Sequence, residues 1–415
     1  MTTPAIESAP VAEPARPAPT VPGDRIFQLD MLRGWAVLGI LAVNAMAFAW
    51  PFSALMSTGD VFDHRGADAW GHWATDVFFQ DKFRTLFTML FGVSIFLVGG
   101  EREDDGRGKL LRSRLFWLAV FGVIHGASLW YGDILLHYAY CGLILLLMRS
   151  WSARRLLWIG GGVSLVWALL ATLAPLMVGA LGPEFKAQMA AGGSGVTMDQ
   201  VNVAVAAYKQ GGAAPWIENL KAWGMAQGVS LVLIPVTIPL MLLGLGLYKS
   251  GFFIGRAPTA IYGLLVILGG TVLAIDAWAN LPGRDAAALP LAGLDSAAGG
   301  MAPLITLAYA SVLLLMTRFG LRVLTGRLAP VGRMAFTNYL TQTLIMASLF
   351  YLPWGPQWMG TMGPAGLWPI VAGIWALQLV WSPLWLSVFS MGPLEWLWRC
   401  LTYGRPVPLR KASVA

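Results

Sequence analysis

About ten apolar runs, each near the length that crosses a lipid bilayer, recur along the chain and leave little room for any other architecture. They lie near 31–51, 83–100, 112–130, 133–149, 155–179, 228–248, 258–281, 302–320, 334–353 and 366–390. A spanning helix needs roughly 20 mostly apolar residues, because the hydrocarbon layer is ~30 Å thick and a helix rises ~1.5 Å per residue. Only 12% of the 415 residues are charged. A soluble domain carries roughly 25%, so this chain lacks the polar surface that water requires. The expected fold is therefore all-α: a polytopic integral membrane helix bundle of about ten transmembrane helices, filling 25–404 without a separate soluble domain.

Charge then sets the orientation. Basic clusters around Arg25 and Arg33, 102–114, 149–155, Lys249 and Arg256, 318–333 and 399–411 alternate with loops that carry mainly acids. The acidic loops hold Asp60, Asp63, Asp68 and Asp76, then Glu184, Asp199 and Glu218, then Asp285 and Asp295. The positive-inside rule places both termini in the cytoplasm. The net charge of +7 is accounted for by these clusters, which excludes a nucleic-acid surface. Residues 1–24, rich in Ala, Pro, Glu and Thr, read as a disordered cytoplasmic tail, and 405–415 as a second one. Residues 1–24 lack the basic start and apolar core of a cleavable signal peptide, so the first helix is expected to act as an uncleaved anchor. The largest outer loop, about 181–226, contains an amphipathic stretch near 199–209. Cys141 and Cys400 form neither a disulfide framework nor a metal-ligand pair. No internal repeat is evident, which weighs against inverted-repeat transporter folds.

Chemistry is sought among polar groups in apolar runs, since these are costly in hydrocarbon and usually face the bundle interior. On the first helix, Asp30 and Arg33 sit at the cytoplasmic end and Asn44 eleven residues on, about 16 Å deeper. Asp30 and Arg33 could hold a cofactor phosphate and Asn44 a reacting group. They could equally be a snorkelling end and an interhelical hydrogen bond. Trp130-Tyr131-Gly132 is a tight outer turn that brings His125 and His137 to similar depth. An Asp133 carboxylate that orients a histidine is a general-base arrangement; an interhelical polar network is the alternative. No further ligand suggests a metal beside them.

Lys82 and Arg84 are cations at an outer helix end, suited to a substrate carboxylate or phosphate, or to interface anchoring. Thr337, Asn338, Thr341 and Gln342 form a polar stripe on one helix face, either packing glue or the wall of a tunnel. Glu395 and Arg399 are an i,i+4 pair on a Trp-bearing amphipathic helix. His64 and His72 lie in the first outer loop. Hydrolase, nucleotide-binding and protease signatures are absent from any credible context.

Five segments in register, LDMLRGWAVLGILAVN, KFRTLFTMLFG, IHGASLWYGDILLHYA, GRMAFTNYLTQTLI and GPLEWLWRCLTYG, closely resemble the YeiB-like bacterial membrane family, domain of unknown function 418. Through its first helix that family is similar to transmembrane acyltransferases such as heparan-alpha-glucosaminide N-acetyltransferase. The resemblance implies transfer of an acyl group from cytoplasmic acyl-CoA to an envelope glycan or small acceptor, in the bacterial inner membrane, with no permanently bound cofactor. Their first-helix pattern falls on Leu29, Asp30, Arg33, Gly34, Val43 and Asn44. The resemblance points to a transfer histidine at His64 or His72; the residues themselves point to His125 with Asp133. On this expectation Asp30, Arg33 and Arg333 bind the donor and Asn44 meets the thioester. Lys82, Arg84, Asn338 and Gln342 contact the acceptor. A transporter of a small solute, or a non-catalytic component of a membrane complex, are the other readings.

Overall fold

The computed structural model describes residues 26–56, 65–103, 105–182, 184–185, 188, 196–284 and 289–411. The N-terminal tail, His64, Asp60, Asp63 and Asp285 lie outside them. The described chain is helical, with no β-strand and one isolated antiparallel bridge between Phe389 and Arg410. The helices used below begin with α1 (Phe27–Ala49), α2 (Gly66–Phe78), α3 (Lys82–Gly99), α4 (Asp105–Ser128), α5 (Leu135–Leu145) and α6 (Gly162–Ala180). After these come α7 (Met198–Lys209), α8 (Ala214–Val232), α9 (Ile234–Lys249), α10 (Thr259–Ala279) and α11 (Ala302–Arg318). The last four are α12 (Arg322–Arg333), α13 (Ala335–Phe350), α14 (Pro364–Val388) and α15 (Pro393–Tyr403).

Every apolar run is helical, but not every helix has the length of a span. Among the described residues seven helices are long and apolar enough to cross a membrane, or up to eight if the bent α8–α9 pair is one span. The runs at 133–149 and 334–353 account for the difference between ten and eight: α5 has 11 residues, continued by one 3-10 turn, and α13 has 16. The α8–α9 bend of 61° falls beside Pro235, whose missing N–H cannot complete the preceding turn. The amphipathic stretch of the outer loop is α7, whose start is fixed by a capping box between Thr197 and Gln200.

Large apolar side chains point outward on the peripheral helices: Trp158, Val232 and Ile267 are mostly exposed. Such a surface suits lipid and not water, so the chain is an all-helical membrane protein. The helices are not equivalent within it. In α1 67% of the most apolar window is buried, against 17% in α10, so α1 is a central helix and α10 a peripheral one.

Two seams lock the centre. A Cβ on Gly34 of α1 would collide with the Leu328 carbonyl of α12, and one on Gly332 with the Asp30 carbonyl of α1. The same reciprocity joins α3 to α9, where Gly92 meets the Met241 backbone and Gly244 the Met89 backbone. Small residues let helix backbones touch where no hydrophobic force drives association in lipid. The first seam fixes where Arg33 and Arg333 stand, because each is the neighbour of one of its glycines.

Candidate functional site

Beside the α1–α12 seam lies a cavity of about 310 Å³. Its wall on α1 runs from Ile26 to Ile40, a length of roughly 21 Å at 1.5 Å per residue. That is about two-thirds of a ~30 Å hydrocarbon layer. One end is cationic: Arg33, Arg114, Arg333 and Arg399 come together from four different helices, with Asp30 and Glu395 among them. The other end is apolar, walled by Val37, Phe87, Phe91, Leu118, Tyr138 and Tyr339.

The arginines are held in different ways. Arg33 donates to Asp30 Oδ1 and to Ser94 Oγ, both at 3.1 Å. Arg333 donates to the Ser390 carbonyl at 3.1 Å. Arg114 stacks its guanidinium 3.8 Å from the Trp398 ring centroid, while the indole N–H returns to the Arg114 carbonyl at 3.0 Å. Among the described residues the Arg114 guanidinium has no carboxylate and no hydrogen bond. Glu395 is committed elsewhere: it accepts the Phe336 and Thr337 amides at 2.8 and 3.0 Å and the Thr337 hydroxyl, capping the start of α13. Burial pushes its carboxyl above the usual range, against the pull of those same hydrogen bonds.

His125, near the end of α4, lies behind the apolar end, with its ring 5.4 Å from that of Tyr339. His125 Nδ1 is 2.8 Å from Asp133 Oδ1 and His125 Nε2 is 3.0 Å from Thr343 Oγ1. Asp133 also accepts the Leu135 and Leu136 amides at 3.2 and 2.9 Å, so one carboxylate starts α5 and orients the imidazole. A carboxylate on Nδ1 favours the tautomer with its lone pair on Nε2, the arrangement a general base needs. His125 is buried and does not line the cavity itself.

The other expected residues fall in different places. Asp30, Arg33 and Arg333 line the cavity. Asn44 does not: it is half-buried, one turn past Ile40, where the α1 wall ends. Lys82 is no solvent-facing cation, because its ammonium is buried against Asp276 at 3.4 Å and the Asp76 carbonyl at 2.9 Å. Arg84 is paired with Asp81 Oδ1 at 2.7 Å. Asn338 and Gln342 do not line this cavity and instead bond between helices. Asn338 bonds Ser382 Oγ at 3.1 Å, and Gln342 bonds Gln378 Oε1 at 2.9 Å and the Val37 carbonyl at 3.3 Å. His137 is satisfied by Tyr140 and Thr237, at 3.0 and 2.8 Å. Asp133 and His137 thus do not pair. His72 lies 4.0 Å from Asp76 in an exposed position.

Comparison with known proteins adds the lineage. Uncharacterized protein YxaH of Bacillus subtilis (strain 168) is 31% identical over 418 residues, covering 95% of this chain and 98% of its own. Uncharacterized protein YeiB of Escherichia coli (strain K12) is 32% identical over 400 residues, 91% of this chain and 96% of its own. The chain belongs to the YeiB-like DUF418 family. The family model, described as a protein of unknown function (DUF418), matches residues 247–405. An uncharacterized 39.9 kDa protein in the amylase 3' region of Bacillus acidopullulyticus is 26% identical over 93% of this chain and 96% of its own. No solved structure matches.

The DUF418 segment supplies one side of the cavity, with Arg333, Tyr339, Glu395, Trp398 and Arg399. The other side, with Asp30, Arg33 and Arg114, precedes it. Sequence reasoning missed Arg114, Tyr339 and Thr343 as site residues. The first had a usable signal: Arg114 is the last cation of the 102–114 cluster and already lies inside the apolar run that begins at 112.

Proposed function

We propose that this protein is an acyltransferase of the bacterial cytoplasmic membrane that draws its acyl group from cytoplasmic acyl-CoA, with an envelope glycan or a small molecule as acceptor. The observation that carries the reading is the polarity of the cavity: four arginines at one end and an apolar throat that ends beside the His125–Asp133 pair. Arginine is suited to phosphate, which its planar fork meets with paired hydrogen bonds. The alternation of basic and acidic loops supports a cytoplasmic arginine end.

In this reading Arg33, Arg114, Arg333 and Arg399 receive the phosphates of CoA, and Asp30 fixes Arg33. The acceptor's hydroxyl or amine gives its proton to His125 Nε2 while its oxygen or nitrogen attacks the thioester carbonyl. The carbon–sulfur bond then breaks, and the CoA thiolate recovers a proton as the free thiol. Thr343 now occupies the place on Nε2 that the acceptor would take. Asn44 has no part in this scheme, and the acceptor path is left without Lys82.

The test is binding of an acyl-CoA panel to the purified protein in detergent, comparing wild type with Arg33→Ala and His125→Ala. Saturable binding that is lost in Arg33→Ala and kept in His125→Ala supports separate donor and base roles. A folded, monodisperse protein that binds no acyl-CoA overturns the reading and directs attention to transport of an amphiphilic anion.

A further inference from the structure

Resting on that reading, we infer that Arg114 and Tyr339 are the two poles of the ligand: Arg114 takes its phosphate, and the Tyr339 hydroxyl donates to the oxygen of the reacting carbonyl. Two independent observations carry this. At the mouth, Arg114 faces the cavity stacked on Trp398, and among the described residues its guanidinium makes no hydrogen bond or salt bridge, although Glu395 and other arginines lie nearby. A guanidinium facing a cavity with none of its donors taken can accept an anion there. At the inner end, Tyr339 is 7% exposed and lines the cavity, and its hydroxyl lies beside the Ile134 backbone but donates no well-formed hydrogen bond to any described residue. Buried tyrosine hydroxyls normally find a partner, and a buried donor without one costs free energy that an acceptor from the ligand would recover.

The separation of the poles narrows the ligand class. Tyr339 packs on His125, which follows Arg114 by eleven residues on the same helix, roughly 16 Å along the axis. Glycerophospholipids carry their ester carbonyls only a few bonds from the phosphate. In an acyl-CoA the pantetheine arm sets the diphosphate and the thioester far apart, which fits a head at Arg114 and a carbonyl at Tyr339. The residues between, Leu115 and Leu118, offer that arm an apolar wall. Tyr339 would then stabilise the oxyanion as the acceptor attacks, since a donor aimed at developing charge in a dry site is worth more than in water.

The experiment uses the full-length protein in detergent with three probes: acetyl-CoA, its thioether analogue S-ethyl-CoA, which lacks the carbonyl oxygen, and S-acetylpantetheine, which lacks the phosphates. Wild type should bind acetyl-CoA about tenfold more tightly than S-ethyl-CoA, the worth of one well-placed buried hydrogen bond. Tyr339→Phe should abolish that preference while leaving S-ethyl-CoA affinity unchanged, which also certifies its fold. Arg114→Met, which keeps an apolar stem on Trp398, should weaken both CoA ligands about tenfold and S-acetylpantetheine not at all. Equal wild-type affinity for acetyl-CoA and S-ethyl-CoA, or a preference that survives Tyr339→Phe, overturns the assignment of Tyr339 and leaves the acyl-CoA reading standing. Equal loss of S-acetylpantetheine in Arg114→Met overturns the assignment of Arg114. Competition by phosphatidylglycerol vesicles that depends on Tyr339 overturns the choice of acyl-CoA over lipid. No CoA binding at all overturns the functional reading itself.

Discussion

His125 and Asp133, eight residues apart across the turn that joins α4 to α5, meet at 2.8 Å, and the same carboxylate caps the α5 N-terminus. In the proposed reaction one side chain would therefore serve both stability and chemistry, and substitution can separate them. Asp133→Asn keeps a capping oxygen and should melt close to wild type while losing most acyl transfer. Asp133→Ala removes the cap as well, at about 1 kcal/mol, and leaves the buried imidazole without its partner. Thermal unfolding in detergent beside a transfer assay checks both; equal activity in Asp133→Asn and wild type would remove the pair from the mechanism.

The glycine seam between α1 and α12 should tolerate no side chain. Gly34→Ala and Gly332→Ala each drive a methyl into a carbonyl of the opposite helix, and overpacking of this kind costs about 1–3 kcal/mol. Gly263→Ala on α10 is the control, because its Cβ meets nothing. The expected order by fluorescence size-exclusion after a heat step is Gly263→Ala near wild type and both seam variants well below it.

Lys82 and Asp276 are a buried pair, each almost without solvent. Removing one charge strands the other, at about 3–5 kcal/mol, whereas apolar replacement of both is often neutral. Lys82→Met alone should therefore lower the melting temperature sharply, and Lys82→Met with Asp276→Leu should restore it. A double variant no better than the single would mean that the pair also works outside this contact.

Glu395 provides a pH signature. Its carboxyl titrates above the usual glutamate range in the folded protein, so the folded state holds that proton more tightly than the unfolded chain. Stability then falls as pH rises from the ordinary glutamate pKa through the raised one, and is greatest below both. Glu395→Gln should flatten this part of the stability profile, from the ordinary glutamate pKa upward. Melting curves of wild type and Glu395→Gln across that window give the answer.

Much of the fold is legible in the sequence because lipid imposes a length and a composition on each span, and α1, α4 and α14 satisfy both without help from neighbours. The runs of α5 and α13 fold shorter than a span, since a 3-10 turn at Leu146–Met148 ends the first and a break at Tyr351 ends the second. The His125–Asp133 pair is visible because a three-residue turn leaves few ways to place its flanks. Arg114, Tyr339 and Trp398 are hidden for the opposite reason. Each looks like an ordinary cytoplasmic cation or aromatic anchor until the rotation of its helix is known, and that rotation is set by contacts from distant segments. The α13 stripe shows the same limit: Asn338 and Gln342 announce an inward face, but only Gln378 and Ser382 on α14 reveal that the face is closed.

The cavity has walls of two kinds. α1 is fastened to α12, and α3 to α9, by backbone lying on backbone, contacts that have nothing to rotate and so no slack. The wall between α4 and α15 is fastened by side chains: Arg114 on Trp398, and the Ser113 hydroxyl on the Thr402 carbonyl at 3.0 Å. Arg114 is the clasp of that wall and, in the proposal above, also the cation that meets the ligand's phosphate. A phosphate that draws it off the indole would undo the clasp by the act of binding, so admission of the ligand and release of the wall become one event.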